Sequence, residues 1–367
     1  MPKRKNKQLD KVLLFAFVAI IVIGIVALLS ASAGESNRNF KNIYEYFLHQ
    51  FTYGFIIGGI LCFVMYKFPY KKLEKLALPI FLLSVFAMML IFVPGLGLEI
   101  GGAKRWLNLG FATFQPSELI KLAFVIYFSA WLSSHIKEVR SAKSFIPFIV
   151  LLGSMGFLLM LQPDLSTLGI VVAIAGAMYF TAGAKIREMA AIGGIGVAAL
   201  YLFVKISPYR INRVKTLLDP RTDPFGIGYQ INQILIAVGS GQIWGAGPFQ
   251  GTQKNFLPLA MNDSIYAVWA EETGFIGAAI VILLFMIVAW RGMRIASNAS
   301  TDFAKFAAAG ITTWLFIQAV INMGAMIGII PLTGVTLPLI SYGSSSLIVT
   351  LMAVGLLLQL SKEVNKS

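Results

Sequence analysis

A chain of 367 residues that is 57% hydrophobic and only 13% charged carries about half the charge of an average soluble domain. Its formal charge of +14 is dispersed over short segments between apolar runs, which excludes a clustered nucleic-acid surface and fits a membrane protein oriented by its basic loops. Cys62 is the single cysteine, so no intrachain disulfide forms, and His49 and His135 have no zinc-site spacing.

Residues 1–11 are a basic tail. Val12–Gly34 has no charge and ends in Ala31-Ser32-Ala33, which mimics a signal-peptidase site. The run exceeds the roughly 7–15 residues of a secretory apolar region and reads as a retained first helix. Further uncharged runs cover Phe47–Tyr66, Leu76–Leu98, Ser144–Pro163, Leu165–Ala184 and Met189–Val204. Leu122–Ser134 is shorter and extends backwards through Lys121 and Glu118. Thr273–Trp290 is another span, with a start near Ser264. Phe306–Ser361 is too long for one crossing, and Pro331, Gly334 and Pro338 divide it into two helices. The reading is an all-α polytopic membrane protein of about ten transmembrane helices, one domain over 1–367.

An even number of crossings puts both termini on one side. Lys and Arg concentrate in the loops of that side, which makes it cytoplasmic. The long loop 205–262, between helices 7 and 8, is then extracytoplasmic. Loops of that length are functional or disordered. Gly228–Gly241 is apolar and predicts a short helix lying on the membrane. The preceding YRINRVKTLLDPRTDPFG makes a basic surface at the outer face. GSGQIWGAG lacks the spacing and lysine of a phosphate loop and reads as turns.

Carboxylates beside a bilayer are costly, which makes Asp263, in LPLAMNDSIYA, a candidate functional residue. The competing reading is a cap on the helix that begins at Ser264. Glu271 lies about two turns further on, with Glu272 beside it, and a buried carboxylate there raises the pKa of Asp263 by like-charge repulsion. Glu118 and Lys121 share a helix face and either hold helices together or position a substrate. Asp164, after Pro163, reads as a helix cap. SYGSSS, with Ser341 and Ser345, offers small hydroxyl side chains for close helix packing or for lining a lipid groove.

Five strings in register, GGAKRWLNLG…FQPSELIKLA (101–123), QPDLSTLGIV (162–171), YRINRV…LLDPRTDPFGIGYQ (209–230), the 245–277 stretch and GIIPLTGVTLPLISYGSSSL (328–347), resemble the SEDS family of bacterial peptidoglycan glycosyltransferases, which holds FtsW, RodA and SpoVE. The wording around Lys254 and of YR…GYQ is more similar to FtsW. Two departures stand out. The family's LPEAHTDFIFA is LPLAMNDSIYA here, which affects the geometry around Asp263, and its SYGGSS is SYGSSS, with Ser344 at a close-packing position.

The resemblance implies an inverting glycosyltransferase that polymerises lipid II, an undecaprenyl-diphosphate-linked disaccharide-pentapeptide, outside the cytoplasmic membrane during septal wall synthesis. It makes Asp263 the general base. A lipid diphosphate is already a good leaving group, so one carboxylate suffices where glycoside hydrolases use two. Lys254, Arg210 and Arg213 are the candidate cations for the diphosphate, each otherwise a headgroup anchor. The family also implies a divalent cation, Mg2+ or Mn2+, for which no ligand set is legible. The implied partners are a class B penicillin-binding protein transpeptidase and other membrane proteins of the division complex. Other readings are a RodA-like elongation polymerase, a lipid II flippase with polar groups at mid-membrane depth, and a scaffold without chemistry.

Overall fold

The computed structural model describes residues 5–6, 8–100, 103–108, 110, 113–140, 143–206 and 208–365. Each predicted span is a helix: α1 (Lys11–Phe40), α2 (Glu45–Lys67), α3 (Ala77–Leu90), α4 (Pro116–Ser134), α5 (Phe145–Leu161), α6 (Leu165–Thr181) and α7 (Ile186–Ile206). Two loop helices follow, α8 (Pro208–Leu218) and α9 (Ile227–Ser240), and then α10 (Ile265–Ser297), α11 (Asp302–Met326) and α12 (Ser344–Leu360). Five of these contain segments long and apolar enough to cross a bilayer; α3, α5 and α6 are apolar but shorter than the roughly 20 residues of an ideal span. The protein is a helical multi-span membrane protein.

α11 and α12 form the centre, with 72% and 78% of their most apolar stretches buried against 17% for α2. Lipid tails are as apolar as leucine, so close packing rather than hydrophobicity holds such a centre together. Small residues permit it. A Cβ on Gly310 of α11 would lie 2.6 Å from Met178 of α6 and 2.9 Å from Val125 of α4. One on Gly355 of α12 would lie 2.2 Å from the Cys62 carbonyl of α2. The SYGSSS string serves the same packing: Gly343 N–H donates to Gln50 Oε1 of α2 at 3.1 Å, and Ser344 Oγ bonds the same oxygen at 3.3 Å.

The even-crossing expectation holds. Lys5–Asn6 pairs antiparallel with Val364–Asn365, and Arg291 near the end of α10 donates to Asp10 at 2.5 Å. Both termini therefore share one face with the α10–α11 turn. The opposite face carries a feature that hydropathy did not predict. A small antiparallel sheet, β1 (Gly97–Ile100), β2 (Ala103–Asn108) and β3 (Thr113–Phe114), fills the α3–α4 connection. Arg105 on β2 donates to the carbonyl of Gln162 at 3.0 Å and to that of Pro163, tying the sheet to the α5–α6 turn.

Candidate active site at Asp263

Asp263 ends an irregular segment that folds back on itself before α10. Asn262 N–H and Ser264 N–H both donate to the Leu259 carbonyl, with Leu259 at φ 53°. The helix N-cap is Ser264, which makes no side-chain cap bond, and the Asp263 carboxylate does not cap either. Its side chain turns inward instead. Asp263 is only 6% exposed, and Oδ1 has no hydrogen-bond partner. Oδ2 faces Gly334, where a Cβ would stand 3.8 Å away. Gly334 sits at φ 68°, a left-handed conformation that a side chain would strain.

Burial pushes the Asp263 carboxyl up to about 6, because a low-dielectric surrounding disfavours its charged form. Its own backbone N–H and the charge of Arg213 on α8 pull the other way. Glu271 is not among the causes, which corrects the expected like-charge repulsion. Its carboxylate instead holds the loop before α10, where Oε1 accepts from Thr252 N–H at 2.7 Å and Gln253 N–H at 2.9 Å.

Two supports that sequence reasoning missed hold the base in place. Asn322 of α11 donates to the Asp263 carbonyl at 2.8 Å and to the Val335 carbonyl at 2.7 Å, clamping the α10 entrance to the 327–343 linker. One turn earlier, Gln318 donates to the Thr336 carbonyl at 2.9 Å. Gln318 Oε1 in turn accepts from Lys121 Nζ at 2.8 Å and Trp314 Nε1 at 2.7 Å. Lys121 pairs with Glu118 at 2.9 Å and is 1% exposed. The expected Glu118–Lys121 pair therefore exists and reaches the same linker through α11. Trp314, Gln318 and Asn322 recur every four residues along one helix face, a spacing that is visible in the charge-free run.

Arg213 Nη1 donates to the Leu332 carbonyl at 2.6 Å, which places its guanidinium on the linker that carries Gly334. The side chain of Arg210 lies outside the described residues. Lys254 departs from expectation. It donates to Glu272 at 2.9 Å, Ser30 at 2.7 Å and the Phe249 carbonyl at 3.2 Å, which occupies all three ammonium protons. Ser30 Oγ also donates to Glu272, completing a buried triad between α1 and α10. No donor of Lys254 is left for a diphosphate.

The Lys254 segment is built into a break in α10. Gly274, at φ 66° and ψ −167°, interrupts the helix. The turn before Lys254 repairs it: Phe275 N–H donates to Gln242 O, and Ala246 and Gly247 N–H donate to Glu271 O and Glu272 O. GSGQIWGAG is thus a set of turns, as expected, fitted against a helix end. Asp164 caps α6, its carboxylate accepting from Thr167 N–H at 3.1 Å and Thr167 Oγ1 at 2.8 Å. Ser341 Oγ accepts from Leu337 N–H at 2.8 Å, and Ser345 joins α12 to β3 and the start of α4 through Thr113 O and Gln115 N–H. Both serines brace the linker. Among the described residues no group of three or more His, Cys, Asp or Glu is placed to hold a metal ion. The donor set does not fit a protein-built metal site.

A family model described as a cell cycle protein, FTSW_RODA_SPOVE, matches residues 11–366. The chain belongs to the FtsW/RodA/SpoVE family. This SEDS protein is 37% identical to stage V sporulation protein E of Bacillus subtilis over 98% of both chains. It is 38% identical to a probable peptidoglycan glycosyltransferase FtsW of Geobacter sulfurreducens, over 98% of this chain and 96% of that one. Among solved structures, it superposes on a chain of a peptidoglycan synthase complex with a TM-score of 0.76 at 29% identity, covering 96% of this chain and 97% of that one. A point mutant of the rod shape determining protein RodA of Thermus thermophilus superposes with a TM-score of 0.72 at 26% identity, covering 98% and 99%.

Proposed function

We propose that this SEDS protein is a peptidoglycan glycosyltransferase that polymerises lipid II at the membrane face opposite its termini, with Asp263 as general base. The concentration of Lys and Arg in the loops of the terminal face supports a cytoplasmic location for that face. One observation carries the catalytic reading: a buried carboxylate with an oxygen that nothing in the chain uses, held at about pKa 6 beside a cation. A base with a pKa near ambient pH is ionised often enough to act and still basic enough to take a proton.

The acceptor sugar hydroxyl attacks the anomeric carbon of the donor. As the new C–O bond forms, the bond to the lipid diphosphate breaks, and the electron pair leaves with the diphosphate. Asp263 takes the hydroxyl proton. A single displacement inverts the anomeric centre. Arg213, whose charge already acts on Asp263, supplies positive charge to the departing diphosphate. Lys254 is assigned to holding the 241–254 turn rather than to substrate. Since the residues do not build a metal site, the chemistry is derived without one.

The flippase alternative calls for essential polar groups at mid-depth. Here Glu118 and Lys121 lie in the first turns of α4 and Asp263 just before α10, at the end of the bundle that carries the β-sheet. We assign the protein to septal synthesis with a class B penicillin-binding protein transpeptidase and other division-complex proteins. The FtsW-like wording of the sequence and the likeness to a peptidoglycan synthase complex support this assignment. Purified protein with its partner should polymerise lipid II, while Asp263→Ala and Asp263→Asn should not; glycan made equally by both variants would sink the mechanism. Septal arrest, rather than loss of rod shape, on depletion distinguishes the septal role from an elongation role.

A further inference from the structure

The terminal face holds a cavity of about 360 Å³ at the opposite end of the bundle from Asp263. It lies where α2 ends and α12 runs out, lined by Tyr66, Lys67, Tyr70, Lys71, Gln359 and Lys362, with Pro69 and Glu363 at its edge. Three ammonium groups thus face one carboxylate. Lys362 Nζ sits 3.5 Å from the centre of the Tyr66 ring, and Lys67 Nζ lies 5.9 Å from the same ring and 5.5 Å from that of Phe63. The aromatic rings hold the two cations over the mouth of the cavity. Gln359 Nε2 donates to the Phe68 carbonyl and fixes α12 against the turn after α2. The Tyr70 hydroxyl and Gln359 Oε1 are buried without a hydrogen-bond partner, an arrangement that native interiors avoid.

The α2 surface leading up to the cavity is apolar and open. Ile60 is 60% exposed, Phe63 61% and Val64 46%, as expected of a side wetted by lipid tails. Lysines and tyrosines that begin where such a surface stops mark the headgroup level. A ligand seated there therefore has acyl chains along α2 and an anionic group among the lysines.

We propose that this cavity binds the phosphodiester headgroup of an anionic phospholipid of the terminal-side leaflet, phosphatidylglycerol being the simplest. Its phosphate oxygens take the ammonium protons of Lys67, Lys71 and Lys362. A phosphate oxygen and a glycerol hydroxyl reaching the cavity floor satisfy the Tyr70 hydroxyl and Gln359 Oε1. The site is independent of the glycosyltransferase reading, because no residue of the Asp263 region takes part.

Native mass spectrometry of the full-length protein, released from detergent with phosphatidylglycerol or phosphatidylcholine, tests it. The wild type should retain phosphatidylglycerol in preference, and Lys67→Gln/Lys71→Gln/Lys362→Gln should lower that retention by about tenfold, in keeping with the contribution of single lysines near a charged headgroup. Lys137→Gln/Lys143→Gln, which removes two exposed lysines elsewhere, should retain lipid like the wild type. Should the triple variant fail to fold, Lys67→Gln and Lys71→Gln singly, both at exposed positions, should each reduce retention by about two- to threefold. Equal retention by wild type and triple variant overturns the proposal, as does an equal loss in the control, which would mean diffuse attraction. Displacement of the lipid by millimolar inorganic phosphate overturns the lipid assignment in favour of a free-phosphate site.

Discussion

Two acidic positions close together in sequence, Asp263 and Glu271-Glu272, are treated in opposite ways. Both glutamates are 2% exposed, yet backbone N–H groups, Ser30 and Lys254 supply their partners. Asp263 is nearly as buried but keeps an oxygen with no partner, and its Arg213 neighbour does not cancel the cost of burial. A carboxylate surrounded by donors is fixed as an anion and cannot usefully take a proton. One left partly unsatisfied is primed to do so. Burial alone therefore does not identify the base; the unfilled bonding capacity does.

The most severe way to break this contrast is to remove the unsatisfied group. Asp263→Ala and Asp263→Asn should lower lipid II polymerisation by at least the roughly 10²–10⁴-fold worth of a general base. Glu271→Gln, by contrast, keeps an oxygen that can accept from Thr252 and Gln253 N–H and should retain most of the activity. A gel-resolved glycan assay on matched preparations gives both values. Comparable losses in the two variants would erase the distinction between the two kinds of acid.

Next in size is the support behind the base. Asn322→Ala leaves the Asp263 and Val335 carbonyls without their shared donor, at a cost of about 1–3 kcal/mol for each buried group left unpaired. The entrance to α10 should loosen, with a fall of about tenfold or more in kcat and little change in KM, because the ground-state contacts of the substrate lie elsewhere. Asn322→Asp has no amide donor and should do no better. A rise in KM at unchanged kcat would instead place Asn322 in substrate binding.

The saturated cluster predicts a stability effect in place of a catalytic one. Lys254→Met strands Glu272, and breaking a buried pair by one partner costs about 3–5 kcal/mol. The melting temperature should drop in the single variant and recover in Lys254→Met/Glu272→Gln, with polymerisation in the double variant near that of the wild type. A double variant that is stable but inactive would return Lys254 to the diphosphate.

Much of this architecture is legible from hydropathy. Apolar runs, Pro331 and Pro338 place the spans, and the even number of crossings brings the termini together. The missing parts share a physical cause: each depends on partners distant in sequence. The break at Gly274 is tolerated only because the 242–247 turn returns to fill its bonds, and nothing near Gly274 announces that turn. The sheet at 97–114 is stabilised by pairing and by Arg105 reaching the α5–α6 turn, not by composition. Gln318 and Asn322 are single polar residues in a charge-free run, and averaging over a window hides them. Lys254 misleads because its nearness to Asp263 along the chain says nothing of Glu272 and Ser30 across the fold.

The smallest expected effect also discriminates most finely, since it separates the charge of Asp263 from its geometry. Burial raises this carboxyl above its unfolded value, so between roughly pH 4 and 6 the folded state binds more proton than the unfolded one. Stability contributed by the protonated form is complete below that window and is lost as pH rises through about 6. Activity runs the other way, because only the ionised form accepts a proton, and its acid limb should have a midpoint near pH 6. Asp263→Asn removes the titration while keeping the shape. It should therefore melt higher than the wild type at pH 7.5 and at the same temperature at pH 4. Parallel melting curves at both pH values would show that the carboxylate is not held against its preference, and the contrast with Glu271-Glu272 would lose its electrostatic basis.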